Sequence, residues 1–247
     1  MTIPSNIESE EKVVLVGISG PSSSGKTTVS RLLTGIFPGS ILIHEDDYYK
    51  DDKDIPMDEA LGEQNWDCPE ALDITLLSQH LKSLKHPNAD PQPKLPSIQP
   101  ESPSSVADPA LIKQLKQKVH NAVGHENLRL VFLDGFLLYH EGSPLVEVLD
   151  VKLFLQVTFP LLKQRRESRE GYQTKDSFWV DPPGYFEKLV WPNYVQQHQH
   201  MFDKGDVENG RCVASETLGI DVFSIKNEGT GIEEVLKWAV QQILESI

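Results

Sequence analysis

The chain has 247 residues, a length that allows one α/β domain with a substantial core and a small appended lid. Its 38% hydrophobic and 24% charged residues are typical of a soluble globular protein. The net charge of −14 argues against a general nucleic-acid or anionic-membrane surface, because such surfaces need a basic stripe. This charge does not exclude a nucleotide in a locally basic pocket.

The cysteines and the N-terminal residues indicate the compartment. Cys68 and Cys212 lie far apart without a C-x-x-C partner, which favours reduced thiols over a disulfide scaffold or a zinc site. Residues 1–12 lack the apolar segment of a signal peptide, and no apolar run approaches membrane-spanning length. We therefore expect a cytoplasmic or nuclear protein that does not bind a membrane.

Strands and helices are predicted to alternate along the chain. Apolar runs typical of buried strands lie at residues 13–18, 40–44, 128–134, 151–157 and 219–225. Helices are predicted at residues 26–36, 69–81, 110–123, 160–171, 185–202 and 233–247, the fifth with a kink or restart at Pro192. This order predicts a single domain over residues 1–247, built on a five-stranded parallel sheet with helices on both faces.

A proline-rich stretch interrupts this alternation between about residues 86 and 109. Seven prolines, at positions 87, 91, 93, 96, 100, 103 and 109, preclude regular secondary structure. We interpret the stretch as a surface insertion with no chemistry of its own.

A phosphate-binding loop joins the first predicted strand to the first predicted helix. The motif G-x-x-x-x-G-K-[ST] is complete in Gly20, Pro21, Ser22, Ser23, Ser24, Gly25, Lys26, Thr27 and Thr28. Its glycines let backbone N–H groups point at an anion, and the helix N-terminus adds further donors. Lys26 suits the β- and γ-phosphates, and the Thr27 hydroxyl suits Mg²⁺. An ordinary glycine-rich turn is the alternative, which the complete motif and its context disfavour; we predict a bound nucleoside triphosphate.

Carboxylates follow two other predicted strands, and parallel strands bring their carboxyl ends to one edge of the sheet. Asp134 ends an apolar strand, as a Walker-B carboxylate near Mg²⁺ does, although a helix cap or turn is an alternative. Asp46 and Asp47 follow the second strand, where one of them can take a proton from an acceptor hydroxyl and help to hold Mg²⁺. A solvated acidic turn is the alternative, and for Asp47 this alternative is about as plausible as the functional role.

Three arginines lie on the predicted helix over residues 160–171. Arg165 and Arg169 share a face at helical spacing, whereas Arg166 points about 100° away. One face is therefore suited to ATP, and Arg166 to the other substrate. A solvated basic face paired with Glu167 and Glu170 is the alternative.

Two aromatic residues, Trp66 and Tyr172, lie in polar, loop-like surroundings. Each can stack on a heterocycle, and Asp67 can accept two hydrogen bonds from a ribose diol. Each aromatic residue taken alone is more often a packing residue, so this interpretation stays open at this point.

Together these motifs resemble the nicotinamide riboside kinases, a branch of the uridine-kinase-like P-loop kinases, and the fungal members most of all. The specific segments, beyond the phosphate loop, are E-D-D-Y-Y-K (45–50), N-W-D (65–67), D-G-F (134–136), R-E-S-R-E-G-Y-Q (166–173) and D-P-P-G-Y-F (181–186). The resemblance extends from residue 13 to about residue 207. It implies a P-loop fold similar to nucleoside-monophosphate kinases, with a small helical lid, and transfer of the ATP γ-phosphate to the 5′-hydroxyl of nicotinamide riboside. Nicotinic acid riboside is the implied second substrate.

The resemblance also implies residue roles. Asp46 would be the general base and would share Mg²⁺ with Thr27, while Lys26 would assist transfer. Substrate contacts are implied for Asp46, Asp47, Tyr48, Tyr49, Trp66, Asp67, Arg166, Tyr172 and Gln173, with Trp66 and Tyr172 on opposite faces of the pyridine ring. ATP contacts are implied for the phosphate loop, Arg165, Arg169, Thr230 and Gly231.

Two other interpretations stay open at this stage. A related kinase would act on uridine, pantothenate or a sugar, but the aromatic pair with Asp67 favours a planar base on ribose. A GTP-binding switch is disfavoured because the sequence has no N-K-x-D segment. The expected partners are ATP and a pyridine riboside, without nucleic acid, and we expect a monomer or a weak homo-oligomer.

Overall fold

The computed structural model describes residues 11–86, 107–124 and 127–247. Its elements in chain order are β1 (Lys12–Ser19), α1 (Lys26–Ile36), β2 (Ile41–His44), β3 (Met57–Asp58), β4 (Glu63–Gln64), α2 (Ile74–Leu84), α3 (Pro109–Val123), β5 (Leu128–Gly135), α4 (Leu145–Val148), β6 (Val151–Val157), α5 (Phe159–Glu167), β7 (Tyr172–Gln173), β8 (Phe178–Trp179), α6 (Trp191–His198), α7 (Ala214–Thr217), β9 (Ile220–Ile225) and α8 (Ile232–Ser246). Short 3-10 turns join several of them.

A five-stranded parallel sheet in the order β2-β5-β1-β6-β9 forms the centre of the fold. β1 lies in the middle, and its side chains alternate between two apolar clusters. Val14, Val16 and Ile18 pack with α1, α3 and α8, whereas Leu15 packs with α2 and α4 on the opposite face. Burying each such side chain contributes roughly 1.5–3 kcal/mol, so both helical layers are held to the sheet by β1 and its neighbours. The predicted five-stranded sheet flanked by helices is confirmed.

The predicted helix over residues 69–81 begins later than expected. Pro69–Ala71 forms one 3-10 turn, and Leu72 then pairs with Tyr49 in an isolated bridge. α2 begins at Ile74 because the Asp73 carboxylate caps it, accepting a hydrogen bond from the Leu76 amide at 2.9 Å. Proline therefore initiates a turn that ends after three residues, and the aspartate initiates the helix.

The chain after β6 departs most from the prediction. α5 ends at Glu167, so Arg169 and Gly171 lie beyond the helix that was predicted to reach residue 171. The antiparallel pair β7–β8 follows, which we call the β7–β8 hairpin and which the sequence analysis did not predict. Gly171 has a φ of +150°, and a side chain there would lie 2.5 Å from the Phe178 ring, so glycine permits the close approach of the two strands.

Other predicted elements are found near their expected places. The helical stretch over residues 185–202 consists of a π-helical turn (Phe186–Val190), α6 and a 3-10 turn, and α6 restarts beside Pro192 as predicted. The predicted proline-rich insertion lies mostly outside the described residues, which resume before α3. Within the described ranges, no helix is both long enough and apolar enough to cross a bilayer.

Candidate active site

The carboxyl ends of the parallel strands bring the predicted site residues to one edge of the sheet. The phosphate loop follows β1, a 3-10 turn (Glu45–Tyr48) follows β2, and Asp134 lies near the end of β5. Within the sheet, His44 of β2 and Ile18 of β1 are both register partners of Asp134. Segments more than a hundred residues apart in sequence therefore lie side by side.

The phosphate loop has the backbone conformations that its glycines allow. Gly25 adopts the left-handed region, with φ +95°, as the N-cap of α1. Gly20 has a φ of +150°, and a side chain there would lie 2.8 Å from the Leu155 carbonyl oxygen. These positions exclude larger residues and leave the N-terminal amides of α1 directed toward the loop.

The phosphate loop also contains buried polar atoms that have no hydrogen-bond partner in the described part of the chain. These are the hydroxyl oxygens of Ser23 and Ser24, together with that of Ser19 at the end of β1. Leaving such an atom unpaired costs about 1–3 kcal/mol, so a concentration of them indicates a place for a polar ligand. The chemistry of this loop fits a phosphate group.

A lysine and two carboxylates interact electrostatically at the edge of the sheet. Burial lowers the pKa of Lys26, and the negative charges of Asp46 and Asp134 oppose this change. Burial raises the pKa of Asp46, and Lys26 opposes that change. The predicted base is therefore within electrostatic range of the phosphate-loop lysine.

Asp134 binds a histidine with one oxygen and leaves the other unpaired. Its Oδ1 lies 2.5 Å from Nδ1 of His44, and its Oδ2 is buried without a partner among the described residues. Burial lowers the pKa of His44, but the hydrogen bond and the charge of Asp134 outweigh this effect and raise it. The free oxygen suits a hard cation, as expected for a Walker-B position.

Glu45 is a buried residue of the site that the sequence analysis did not identify. Its Oε2 accepts hydrogen bonds from the backbone N–H groups of Phe136 at 2.7 Å and Leu137 at 3.0 Å. Burial raises the pKa of Glu45 to about 8, although the hydrogen bonds from the two backbone N–H groups act to lower it. Glu45 thus ties the turn after β2 to the loop after β5. The signal for it in the sequence is a charged residue directly between an apolar strand and Asp46.

Arg166 is the centre of a buried ionic network. Its guanidinium donates to Asp181 at 2.6 and 3.0 Å and to the Ser22 hydroxyl at 2.9 Å, and it lies 3.5 Å from Asp67. Burial opposes its charge, but Asp67 and Asp181 raise the pKa of Arg166. Asp181 is a second residue that sequence reasoning did not assign, although its segment carries part of the family resemblance.

The two other arginines also approach the phosphate loop. Arg165 donates to the Ser24 carbonyl oxygen at 3.4 Å, whereas Arg166 donates to the Ser22 hydroxyl of the same loop at 2.9 Å. The assignment of Arg165 to ATP and of Arg166 to the other substrate stays a prediction. The helical-face argument fails for Arg169, because α5 ends before it. Arg169 nevertheless acts electrostatically on Lys26 and Asp46, which places it beside the loop through the chain after α5.

The two aromatic residues predicted to bind the pyridine ring, Trp66 and Tyr172, are connected through Trp179. Trp66 packs against Tyr49 and Trp179, with ring centroids at 5.5 and 5.9 Å. Tyr172 instead faces the guanidinium groups of Arg166 and Arg169, at 4.9 and 5.2 Å. Trp179 is the cross-strand partner of Tyr172 and was not identified from the sequence. The polar atoms of Trp66 and Tyr172 are buried and have no partner within the described ranges.

Two residues with predicted substrate contacts are already hydrogen-bonded within the protein. Tyr48 is only 2% exposed and packs in the core cluster that includes Leu77 and Leu81, with its hydroxyl on His80 of α2. Its side chain therefore anchors the Glu45–Tyr48 turn to α2. Gln173 donates both of its hydrogen bonds within the β7–β8 hairpin, to Thr174 and Ser177. The contacts of Tyr48 and Gln173 with the substrate stay predictions.

The remaining predicted residues lie on the same edge of the sheet. Asp47 is half-buried and acts electrostatically on His44. Thr230 and Gly231 precede α8, and Glu228 of the same loop accepts a hydrogen bond from Gln164 of α5 at 2.7 Å. A cavity of about 280 Å³ lies between the end of α5 and residues 180–187, lined in part by Arg166, Arg169, Tyr172 and Asp181.

Comparison with known proteins identifies the family. A comparison with protein-family models finds no match. The chain is 37% identical to the nicotinamide riboside kinase of Saccharomyces cerevisiae over 95% of this chain and 97% of that protein. It is 36% identical to that of Schizosaccharomyces pombe, over 96% and 98% of the two chains. Human nicotinamide riboside kinase 2 is 30% identical over 78% of this chain and 70% of its own.

Among solved structures, the thymidylate kinase of Candida albicans is 14% identical, with a TM-score of 0.41, over 95% of this chain and 92% of that chain. The two yeast relatives match nearly the whole length of this chain. The chain belongs to the nicotinamide riboside kinase family.

Proposed function

We propose that this protein transfers the γ-phosphoryl group of ATP to the 5′-hydroxyl of nicotinamide riboside, forming the mononucleotide used in NAD salvage. Membership of the family supports the reaction, and nicotinic acid riboside is the second substrate that we propose. The observation that carries the proposal is the position of Asp46 in the turn directly after β2, because parallel strands bring this turn and the phosphate loop after β1 to the same edge of the sheet. The part of the site that binds the phosphate donor and the part that binds the acceptor hydroxyl then lie at the same edge of the sheet.

The phosphate loop supplies the donor half. Its backbone amides and the hydroxyls of Ser23 and Ser24 surround the β- and γ-phosphates, and Lys26 adds a cation. Burial of Lys26 strengthens its attraction for phosphate, because water screens the charges less. Arg165 lies against Ser24 and is directed toward the same phosphates.

The donor set at the edge of the sheet fits Mg²⁺. The Thr27 hydroxyl and the carboxylates of Asp46 and Asp134 would hold it, and all are hard oxygen ligands. The buried, unpaired Oδ2 of Asp134 supports this assignment. When bound, Mg²⁺ neutralises negative charge on the transferring phosphate.

Asp46 and the Asp67–Arg166 network supply the acceptor half. Asp46 accepts the proton of the 5′-hydroxyl as the oxygen attacks the γ-phosphorus and the bond from that phosphorus to ADP breaks, and its place in the turn after β2, at the sheet edge that carries the phosphate loop, suits it to this role. Asp67 accepts from the ribose hydroxyls, and Arg166 orients it. Trp66 and Tyr172 contact the pyridine ring.

A nucleoside panel tests this proposal directly. The protein, ATP and Mg²⁺ are incubated with nicotinamide riboside, nicotinic acid riboside, uridine, cytidine and pantothenate, and the ADP formed is measured. We expect rapid phosphorylation of the pyridine ribosides and little of the others. Efficient phosphorylation of uridine without any phosphorylation of a pyridine riboside would contradict the proposal.

A further inference from the structure

The β7–β8 hairpin contains Tyr172 and covers Trp66, the two aromatic residues proposed to bind the pyridine ring. Trp66 is 7% exposed and Asp67 is 8% exposed, so a riboside reaches them only after a covering residue has moved. Trp179 of the hairpin is one such residue, because its ring packs directly on Trp66. The position of the hairpin therefore controls access to this part of the site.

The hairpin is too small to hold this position alone. Each of its strands has two residues, and an isolated two-stranded hairpin is marginally stable at best in water. Phe178 and Val180, on either side of Trp179, are 57% and 59% exposed, so only Trp179 of these three packs inward. Contacts outside the strands must fix where Trp179 lies. Two sets of contacts do this. The Trp179 indole N–H donates to the Asp181 carboxylate at 2.9 Å, and Asp52 holds the tip of the hairpin.

The Oδ2 of Asp52 accepts hydrogen bonds from the hydroxyls of Thr174 at 2.9 Å and Ser177 at 2.8 Å, at the tip of the hairpin. Its backbone N–H donates to the Asp176 carboxylate at 3.3 Å. The neighbouring Asp51 pairs with Lys175, but that pair is exposed and contributes little.

Asp52 is also hydrogen-bonded to the segment that precedes Trp66. Its carbonyl oxygen accepts from Gln64 of β4 at 2.5 Å, two residues before Trp66. The Tyr185 hydroxyl donates to the Gln64 carbonyl oxygen at 2.7 Å and lies 3.4 Å from the Trp66 amide nitrogen. Asp52 thus joins the tip of the hairpin, through its carboxylate, to the segment that carries Trp66, through its backbone carbonyl oxygen.

From these contacts we infer that Asp52 is a positioning residue, which latches the β7–β8 hairpin so that Trp179 closes over Trp66 and the bound pyridine riboside. The inference rests on the proposed function for the identity of the ligand. Entry of the riboside requires the Asp52 contacts with Thr174 and Ser177 to open. Their re-formation encloses the ring. We expect a smaller effect on ATP, because none of the Asp52 contacts given above is to the phosphate loop, and the hairpin meets the proposed ATP contacts through the ring of Tyr172 on Arg169.

The test compares Asp52→Ala with Asp52→Asn and with the matched control Asp54→Ala. Asp54 belongs to the same 3-10 turn and is exposed. In Asp52→Ala we expect the KM for nicotinamide riboside to rise roughly tenfold, the equivalent of about 1.4 kcal/mol, with a smaller change in the KM for ATP. Asp52→Asn keeps an acceptor oxygen and should stay close to wild type. Ser177→Ala, at an exposed position, should give a smaller increase in the same direction.

Hydrogen exchange provides a readout that does not depend on activity. In Asp52→Ala the amides of residues 172–179 should exchange faster, while those of β1 and β5 keep their wild-type rates. An unchanged riboside KM relative to Asp54→Ala, or unchanged exchange in the hairpin, would overturn the inference. A wild-type protein that phosphorylates no pyridine riboside would contradict the proposed function instead, and the exchange result would still decide whether Asp52 holds the hairpin.

Discussion

At the scale of single residues, burial determines what each charged group of the site can do. Lys26 and Asp46 affect each other's protonation, Asp134 acts on both, and burial removes much of the water that would screen them. Arg166 keeps its charge in a buried place because two carboxylates accept its hydrogen bonds. A buried ion pair contributes little to stability on its own, which favours a role in substrate binding for this one.

Asp46 provides the prediction at this scale. Asp46→Asn removes the proton acceptor and weakens the proposed contact with Mg²⁺, so we expect ATP binding to persist while kcat falls by about 10²–10⁴-fold. Steady-state kinetics and a nucleotide-binding titration measure the two effects. Asp47→Asn, in the same turn, is the comparison and should change kcat much less. Near-wild-type turnover in Asp46→Asn would shift the role of base to Asp134.

At the scale of elements, the site depends on connections between strand ends. The turn after β2 carries Asp46, and the loop after β5 follows Asp134. Glu45 joins these two segments through its hydrogen bonds to Phe136 and Leu137. A side chain at Gly135 would lie 2.5 Å from the Glu45 carboxyl group, so only glycine leaves room for this connection. The two carboxylates of the site are therefore positioned together.

Glu45 can be tested with two variants that differ in one property. Burial raises the pKa of Glu45 to about 8, which favours its protonated form near neutral pH, and Glu45→Gln keeps both the shape and the acceptor oxygen of that form. We expect Glu45→Gln to retain stability and most of kcat. Glu45→Ala leaves two buried N–H groups unpaired and should cost about 1–3 kcal/mol for each, together with a large part of kcat. Thermal unfolding and kinetics measure both, and equal damage in the two variants would show that the ionised carboxylate is needed.

At the scale of the whole molecule, local patterns predicted the sheet and long-range contacts determined the rest of the site. The strands and the phosphate loop follow from periodicity and spacing within about ten residues. Trp179 and Asp181 could not be assigned in this way, because their partners Trp66 and Arg166 lie elsewhere in the chain. The contact of Tyr48 with His80 could not be predicted for the same reason, since His80 lies in α2. Two-residue strands such as β7 and β8 also carry too few residues to show a pattern.

The buried histidine of α6 gives the molecule a testable dependence of stability on pH. His198 is 0% exposed, its Nδ1 lies 3.0 Å from the Tyr194 carbonyl oxygen, and its ring packs against Phe154. Burial lowers its pKa to about 3, against 6.5 for an ordinary histidine. The unfolded chain therefore binds a proton between these values that the folded protein does not, and the stability that neutral His198 contributes falls as pH drops below 6.5.

His198→Gln removes this titration, while the nearby histidines His140 and His200 remain in both proteins. Urea unfolding at pH 7.5, 6.0 and 5.0 should show that wild type is the more stable protein at pH 7.5, because the glutamine fits the buried site less well. The difference in the free energy of unfolding should then shrink by up to about 1.4 kcal/mol for each pH unit below 6.5. A difference that stays constant from pH 7.5 to 5.0 would mean that His198 becomes protonated in the folded protein, and that the core beside α6 admits a charge.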